Sequence, residues 1–184
     1  MFSGGLDSTG AFWQLLKDGE KIYIHHMHLK NVENRHEAEA KAVREILEFM
    51  KPYGTFEYSE STHEYPSFKG RFMMDADITS FMAGQICKAM PWIKNVALGL
   101  TKSDIDNNSV QARIENANKV FSALCNAQKI YPIKHLTKQE IYEMLPVELR
   151  NLTWSCRMPI YKQDQIKKCG KCITCQTIKK EIYV

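Results

Sequence analysis

Residues 3–8 read Ser3-Gly4-Gly5-Leu6-Asp7-Ser8, and an amphipathic run expected to be helical over Asp7–Lys17 follows directly. Two glycines let a backbone approach an anion closely, and a helix start adds unpaired N–H groups and the positive end of a dipole. Ser3 and Ser8 contribute hydroxyl donors. The small residues alone would fit any tight turn, but Ser-Gly-Gly-x-Asp-Ser set directly against an amphipathic helix points to phosphate binding. The loop is not of the Walker type, which needs Gly-Lys-Ser/Thr after a longer span. Ser3, Gly4, Gly5, Leu6, Asp7 and Ser8 are therefore the candidate anion-binding residues.

Outward from this loop, helical and strand patterns alternate. Lys21–Leu29 (KIYIHHMHL) has strand character, and Glu33–Met50 carries Ala38, Ala42, Ile46 and Phe49 at helical spacing. Pro52 and Gly54 end that helix, with a short strand expected over Thr55–Tyr58. Ser59–Asp77 is the least regular stretch. Thr79 is expected to cap a helix running to Met90, stopped by Pro91. Asn95–Leu100 reads as a buried strand, Asn108–Gln128 as a long helix and Ile130–Ile133 as a short strand. Thr137 and Glu140 fit a capping box that opens a helix towards Leu145. Strands separated by helices of this length predict an α/β fold, a mostly parallel sheet with helices on both faces. Ligands in such folds gather at the carboxyl ends of the strands.

Composition is that of one globular domain: 184 residues, 44% apolar and 25% charged. A chain this long buries roughly 70% of the surface that its unfolded form exposes. No apolar run approaches the length of about 20 residues that crosses a membrane. The amino terminus also lacks signal-peptide character, so a cytoplasmic location is expected. The formal charge is +4, from 25 basic and 21 acidic side chains. The basic residues are dispersed, with mild clusters at Lys167–Lys168 and Lys179–Lys180. Without a long basic stripe, direct nucleic-acid binding is not expected.

Four of the six cysteines, Cys156, Cys169, Cys172 and Cys175, fall within 20 residues of one another. Four thiolates suit tetrahedral Zn²⁺, and a set without an open position is structural rather than catalytic. Gly170 permits the tight turn between Cys169 and Cys172. Cys87 and Cys125 sit in apolar, helix-like stretches and read as small buried hydrophobes. His25, His26 and His28 alternate along a strand, so His26 and His28 share a face; strand-end packing and hydrogen bonding are expected there rather than a metal site.

The loop Ser3–Ser8 resembles the PP-loop of the ATP-pyrophosphatase superfamily. Thr137-Lys138-Gln139-Glu140-Ile141, Thr153-Trp154-Ser155-Cys156 and Cys169-Gly170-Lys171-Cys172-Ile173-Thr174-Cys175 resemble the 7-cyano-7-deazaguanine synthase family of queuosine biosynthesis. The resemblance brackets nearly the whole chain in the family's order. It implies a Rossmann-like adenine-nucleotide α-hydrolase fold, with a PP-loop domain over residues 1–150 and a zinc-binding segment over 151–184 packed on the same domain. It implies an AMP-forming ligase that takes ATP with Mg²⁺, 7-carboxy-7-deazaguanine and ammonia. The acid would pass through an acyl-adenylate and an amide to the nitrile. One structural Zn²⁺ on Cys156, Cys169, Cys172 and Cys175, and a homodimer, are further implications. Carried over by position, Asp7 and Ser8 belong to the catalytic loop, Arg35 and His36 to a segment near the active site, and Gly99 and Asp104 to the edge where ATP and substrate meet. Read from the residues alone, Arg35 and His36 could equally be a solvated helix start.

The chain also departs from the pattern. Only Met1 and Phe2 precede the loop, where a full hydrophobic strand precedes it in the superfamily, so a very short central strand or a truncated chain is expected. Asn107-Asn108-Ser109 stands where a tyrosine-proline-aspartate motif usually follows. Gly70-Arg71-Phe72 only partly matches a Gly-Arg-Asn segment, and Met73 and Met74 read as irregular core or a mobile lid. These departures keep two alternatives open: transfer of the activated acyl group to another amine or a partner protein, and a non-catalytic nucleotide-binding homologue.

Overall fold

The loop at residues 3–5 feeds α1 (Leu6–Lys17), whose buried Leu6, Ala11, Phe12, Trp13 and Leu16 form an apolar face. A computed structural model describes residues 1–65, 75–163 and 165–182 of the chain. Gly70-Arg71-Phe72 and Met73–Met74 lie outside these. β1 (Ile22–Lys30) follows, then α2 (His36–Met50) and a 3₁₀ turn at Lys51–Tyr53, where Pro52 removes the next helical donor. α2 begins three residues later than its apolar spacing predicts. Asn34 takes a left-handed backbone (φ 50°), and Asn31 Oδ1 accepts from Glu33 N–H, so a turn occupies the expected first helical residues.

β2 (Phe56–Glu64) is nine residues long and pairs in parallel with all of β1, from Ile22↔Phe56 to Lys30↔Glu64. Sequence reading expected only Thr55–Tyr58. The remainder, Ser59–Glu64, is polar on both faces and carries no hydrophobic alternation, which hid it. α3 (Asp75–Ala89) starts a turn before Thr79, which lies inside the helix rather than capping it. β3 (Asn95–Ala97) and β4 (Gln128–Ile130) form a second parallel pair, each shorter or earlier than expected. Between them lie α4 (Lys102–Ile105) and α5 (Asn108–Ser122). α6 (Lys138–Met144) opens on the anticipated Thr137–Glu140 capping box. α7 (Val147–Leu152), an antiparallel hairpin of β5 (Ile160–Lys162) and β6 (Gln165–Lys167), and α8 (Ile173–Ile182) complete the described chain.

The result, among the described residues, is a mixed α/β structure with parallel strands in small sheets, and not the single mostly parallel sheet that was expected. Among the described residues the strands form three separate two-stranded pairs, β1–β2, β3–β4 and β5–β6. Phe2 N–H donates to His25 O at 2.9 Å, so the residues before the loop run beside β1 without forming a ladder. The main core joins α1, α2, α6 and α7 on the Ile22–Ile24 face of β1, with Val43, Ile46, Met50, Ile133, Ile141 and Leu149 fully buried. Each such side chain contributes about 1.5–3 kcal/mol relative to exposure. Met27 and Leu29 pack with Tyr65 on the other face of β1, and Ala83, Cys87, Val96 and Phe121 join α3, β3 and α5. Both faces of β1 are thereby covered, and the loop shares a cavity with Met27 and Leu29 in the later half of β1 and with Leu98 and Gly99 just after β3.

Candidate functional site

Gly4 takes a left-handed backbone (φ 71°), and a Cβ on it would lie 3.1 Å from Val43 Cγ2 and 3.2 Å from Val43 N. Glycine is therefore required for the loop to turn while pressed against α2. Ser8 Oγ donates to Gly5 O (3.1 Å), and Ser3 Oγ and Ser8 Oγ lie 3.1 Å apart, so the two hydroxyls form a pair over the helix start. The loop is also held from the far end of the chain. Trp154 N–H donates to Gly4 O (2.8 Å) and Leu6 N–H to Ser155 Oγ (3.2 Å).

A cavity of about 480 Å³ opens over this loop. Ser3, Gly5, Asp7, Ser8 and Lys138 line one part of it, and Arg35, Glu39, Asp75 and Arg157 another. Lys138, the first residue of α6, places Nζ 2.7 Å from Asp7 Oδ2. Burial pushes the Asp7 carboxyl above its ordinary range, against the pull of the Lys138 ammonium, and Asp104 nearby pushes in the same direction as burial. Gly99 packs directly on the loop: a Cβ there would lie 2.6 Å from Asp7 O. Asp104 lines the cavity too, but its Oδ2 is engaged by Thr101 N–H (2.9 Å) and Thr101 Oγ1–H (2.8 Å) in the capping box of α4.

The other part of the cavity is a charged network. Arg35, 8% exposed, is no solvated helix start. Its guanidinium ion-pairs with Glu33 (Nη1–Oε2, 3.0 Å), Glu39 (Nε–Oε1, 3.2 Å) and Asp75. Arg157 joins from the carboxyl-terminal segment, 2.7 Å from Glu33 Oε1 and 3.4 Å from Asp75 Oδ2. Burial outweighs Arg35 and pushes the Glu39 carboxyl up to about 7. Three carboxylates thus share two guanidinium groups in a low-dielectric setting, where each imperfect pairing costs more than at the surface.

The sulfur atoms of Cys156, Cys169, Cys172 and Cys175 all lie within 4.8 Å of one another. Tetrahedral Zn–S bonds of about 2.3 Å set sulfurs about 3.8 Å apart, so the cluster could hold a metal ion such as zinc. Backbone donors face the sulfurs: Cys169 N–H points to Cys156 Sγ (3.2 Å), and Lys171 and Cys172 N–H to Cys169 Sγ (3.4 and 3.3 Å). These two N–H groups pull the Cys169 thiol down to about 6. Such donors stabilise thiolate, the form a metal binds.

Of the residues singled out from sequence, Ser3, Gly5, Leu6, Asp7, Ser8, Arg35, Gly99 and Asp104 share the cavity, and the four cysteines form one cluster. His36 is not among its lining: it opens α2, and among the described residues its buried Nδ1 has no hydrogen-bond partner. The strand histidines are spent on hydrogen bonds, His25 to Ser59 and Ser61 Oγ (2.7 and 2.9 Å) and His26 to Phe2 O (2.9 Å), while His28 Nε2 lies 3.1 Å from Glu60. Sequence reading missed Lys138, Glu39, Asp75, Ser155 and Arg157 as site residues. Lys138 and Ser155 stood inside quoted motifs; nothing local marked Asp75, which meets Arg35 across 40 residues. Among the described residues, no helix is long and apolar enough to cross a membrane. Comparison with protein-family models, curated proteins and solved structures gave no match.

Proposed function

We propose that the chain is a PP-loop ligase of the 7-cyano-7-deazaguanine synthase type, converting 7-carboxy-7-deazaguanine to the nitrile with ATP and ammonia. One observation carries the reading. A single cavity joins a Gly-Ser loop and an ammonium, suited to phosphate, to the half-exposed Arg157 guanidinium, suited to a carboxylate-bearing substrate. The quoted sequence motifs supply the choice of substrate.

In this reaction a substrate carboxylate oxygen attacks the α-phosphorus of ATP, and the bond to pyrophosphate breaks. Ammonia then attacks the acyl carbon and AMP leaves, giving the amide. The amide oxygen attacks a second ATP in the same way. Loss of AMP with the C–O bond and of two N–H protons leaves the nitrile. Lys138 offsets the phosphate charge and Ser3, braced by Ser8, orients the phosphates, with Mg²⁺ accompanying the nucleotide. Arg157 orients the acid, and Arg35, enclosed by Glu33, Glu39 and Asp75, holds the acidic wall in place. Catalysis rests on positioning and charge stabilisation, and no protein nucleophile is needed. One zinc ion on the four cysteines is structural, because four thiolates leave no open position. The enzyme works in the cytoplasm as a homodimer and without a nucleic-acid partner.

A second reading keeps the adenylation and changes the acceptor to another amine or a partner protein. It is favoured by Asn107, whose Oδ1 accepts from Ser109 and Val110 N–H and caps α5, leaving this segment to hold a helix rather than a substrate. The test is AMP release, read by chromatography and mass spectrometry, from purified protein with ATP, Mg²⁺, ammonium and 7-carboxy-7-deazaguanine. AMP with nitrile is the expected result. AMP only on adding another amine or protein supports the second reading, and no AMP from folded, metal-loaded protein overturns both.

A further inference from the structure

The segment Trp154–Arg157 touches three parts of the molecule. Trp154 and Ser155 bond the Gly-Ser loop, Cys156 belongs to the sulfur cluster, and Arg157 reaches the acidic network. Ser155 holds an unusual position within it. A serine hydroxyl has one proton to donate and two lone pairs. Leu6 N–H, a donor that the start of α1 would otherwise leave unpaired, uses one lone pair at 3.2 Å. Among the described residues no protein acceptor takes the hydroxyl proton. Ser155 nonetheless lines the cavity with Ser3, Ser8 and Lys138. Ser155 Oγ and Ser3 Oγ each lie 3.4 Å from the place a Cβ would take on Gly5, so the two hydroxyls flank the loop at one turn.

We propose that Ser155 is a phosphate ligand: its hydroxyl, held by Leu6 N–H, donates to an oxygen of the nucleotide's phosphate chain. The inference rests on the nucleotide reading above and extends its donor set to the carboxyl-terminal segment. Leu6 N–H does not meet the anion itself; it polarises Ser155 O–H, which does. Charge-assisted donors of this kind are short and stronger than neutral ones. The arrangement also places an anion ligand next to the cluster residue Cys156, so that the knuckle and the loop form one binding unit.

The test is calorimetric titration of inorganic pyrophosphate and of Mg²⁺–ATP into wild-type protein and Ser155→Ala, with metal content and thermal midpoint measured on both. Loss of one hydrogen bond to a charged group is expected to weaken pyrophosphate binding roughly 10- to 100-fold. Binding by Ser155→Ala within about threefold of wild type would overturn the assignment. A crystal structure of the wild-type protein with pyrophosphate separates a ligand from a mere brace of the loop, and needs no variant to fold. A phosphate oxygen within about 3 Å of Ser155 Oγ is expected, and none within about 4 Å overturns the proposal. Wild-type protein that binds neither pyrophosphate nor ATP removes the nucleotide reading and this inference with it. Wild-type binding that Ser155→Ala retains removes this inference alone.

Discussion

Lys138 Nζ lies 2.7 Å from Asp7 Oδ2, joining the first residue of α6 to the loop 131 residues earlier. The pair does two things at once. It compensates a carboxyl whose burial favours the neutral form, and it brings a cation to the cavity that the two loop hydroxyls line. A cation already tethered needs little reorganisation when phosphate charge develops, which is where electrostatic catalysis gains most.

Lys138→Met is therefore expected to lower AMP release by about 100-fold or more. Lys138→Arg keeps the charge and is expected to lose less, although its fork does not match a point contact. Steady-state AMP formation checks both, with urea midpoints to show that the variants are folded. Unchanged AMP formation in Lys138→Met would remove the lysine from the mechanism.

Gly99→Ala tests the loop through its packing rather than its charge. The added Cβ would lie 2.6 Å from Asp7 C and O and 2.7 Å from Ser8 N, all backbone atoms that cannot rotate away. Overpacking of this kind costs about 1–3 kcal/mol, which for a chain of this size lowers the midpoint by roughly 2–4 °C per kcal/mol. Calorimetry is expected to show that drop together with weakened ATP binding. A variant with wild-type midpoint and affinity would mean that the loop relaxes freely.

How much of this was legible beforehand depends on how local each signal is. The loop and the cysteine cluster announce themselves within 6 and 20 residues, because glycine, serine and cysteine chemistry needs close spacing. The Thr137–Glu140 capping box is equally local and opens α6 as expected. β2 beyond Tyr58 was not legible: Ser59 and Ser61 face His25, so polar residues occupy positions where a pattern reader looks for apolar ones. The Arg35 network was legible only in part. Arg35 stood out with Glu33 two residues before it, but Asp75 and Arg157 reach the network from two distant segments by tertiary packing alone.

Cys172→Ser is expected to lose most of the bound metal and much of the stability, because binding energy at such a cluster is folding energy. Metal content by mass spectrometry should fall from about one ion per chain to a small fraction of that. Thermal midpoints with and without a chelator should converge in the variant and differ in the wild type. Unchanged metal content would remove the four-cysteine assignment.

The acid limb of stability tests the buried histidines. Burial lowers both His25 and His26 to about 4, and His26 is 1% exposed with Nδ1 against Phe2 O. Above an unfolded pKa of about 6.5 neither state binds the proton. Between there and about 4 the unfolded state binds it and the native state does not, so stability falls as pH falls through that window. Glu39, raised to about 7 by burial, acts in the opposite sense. Its native carboxyl takes a proton first, so it adds stability as pH falls from about 7 towards 4.5. His26→Asn retains an N–H donor for Phe2 O and cannot titrate. Urea unfolding from pH 7 to pH 4.5 is expected to show a shallower acid loss for His26→Asn, by up to about one proton, and a steeper one for Glu39→Gln. Parallel curves for wild type and His26→Asn would mean that His26 is protonated in the native state and that Phe2 O is held by a charged donor.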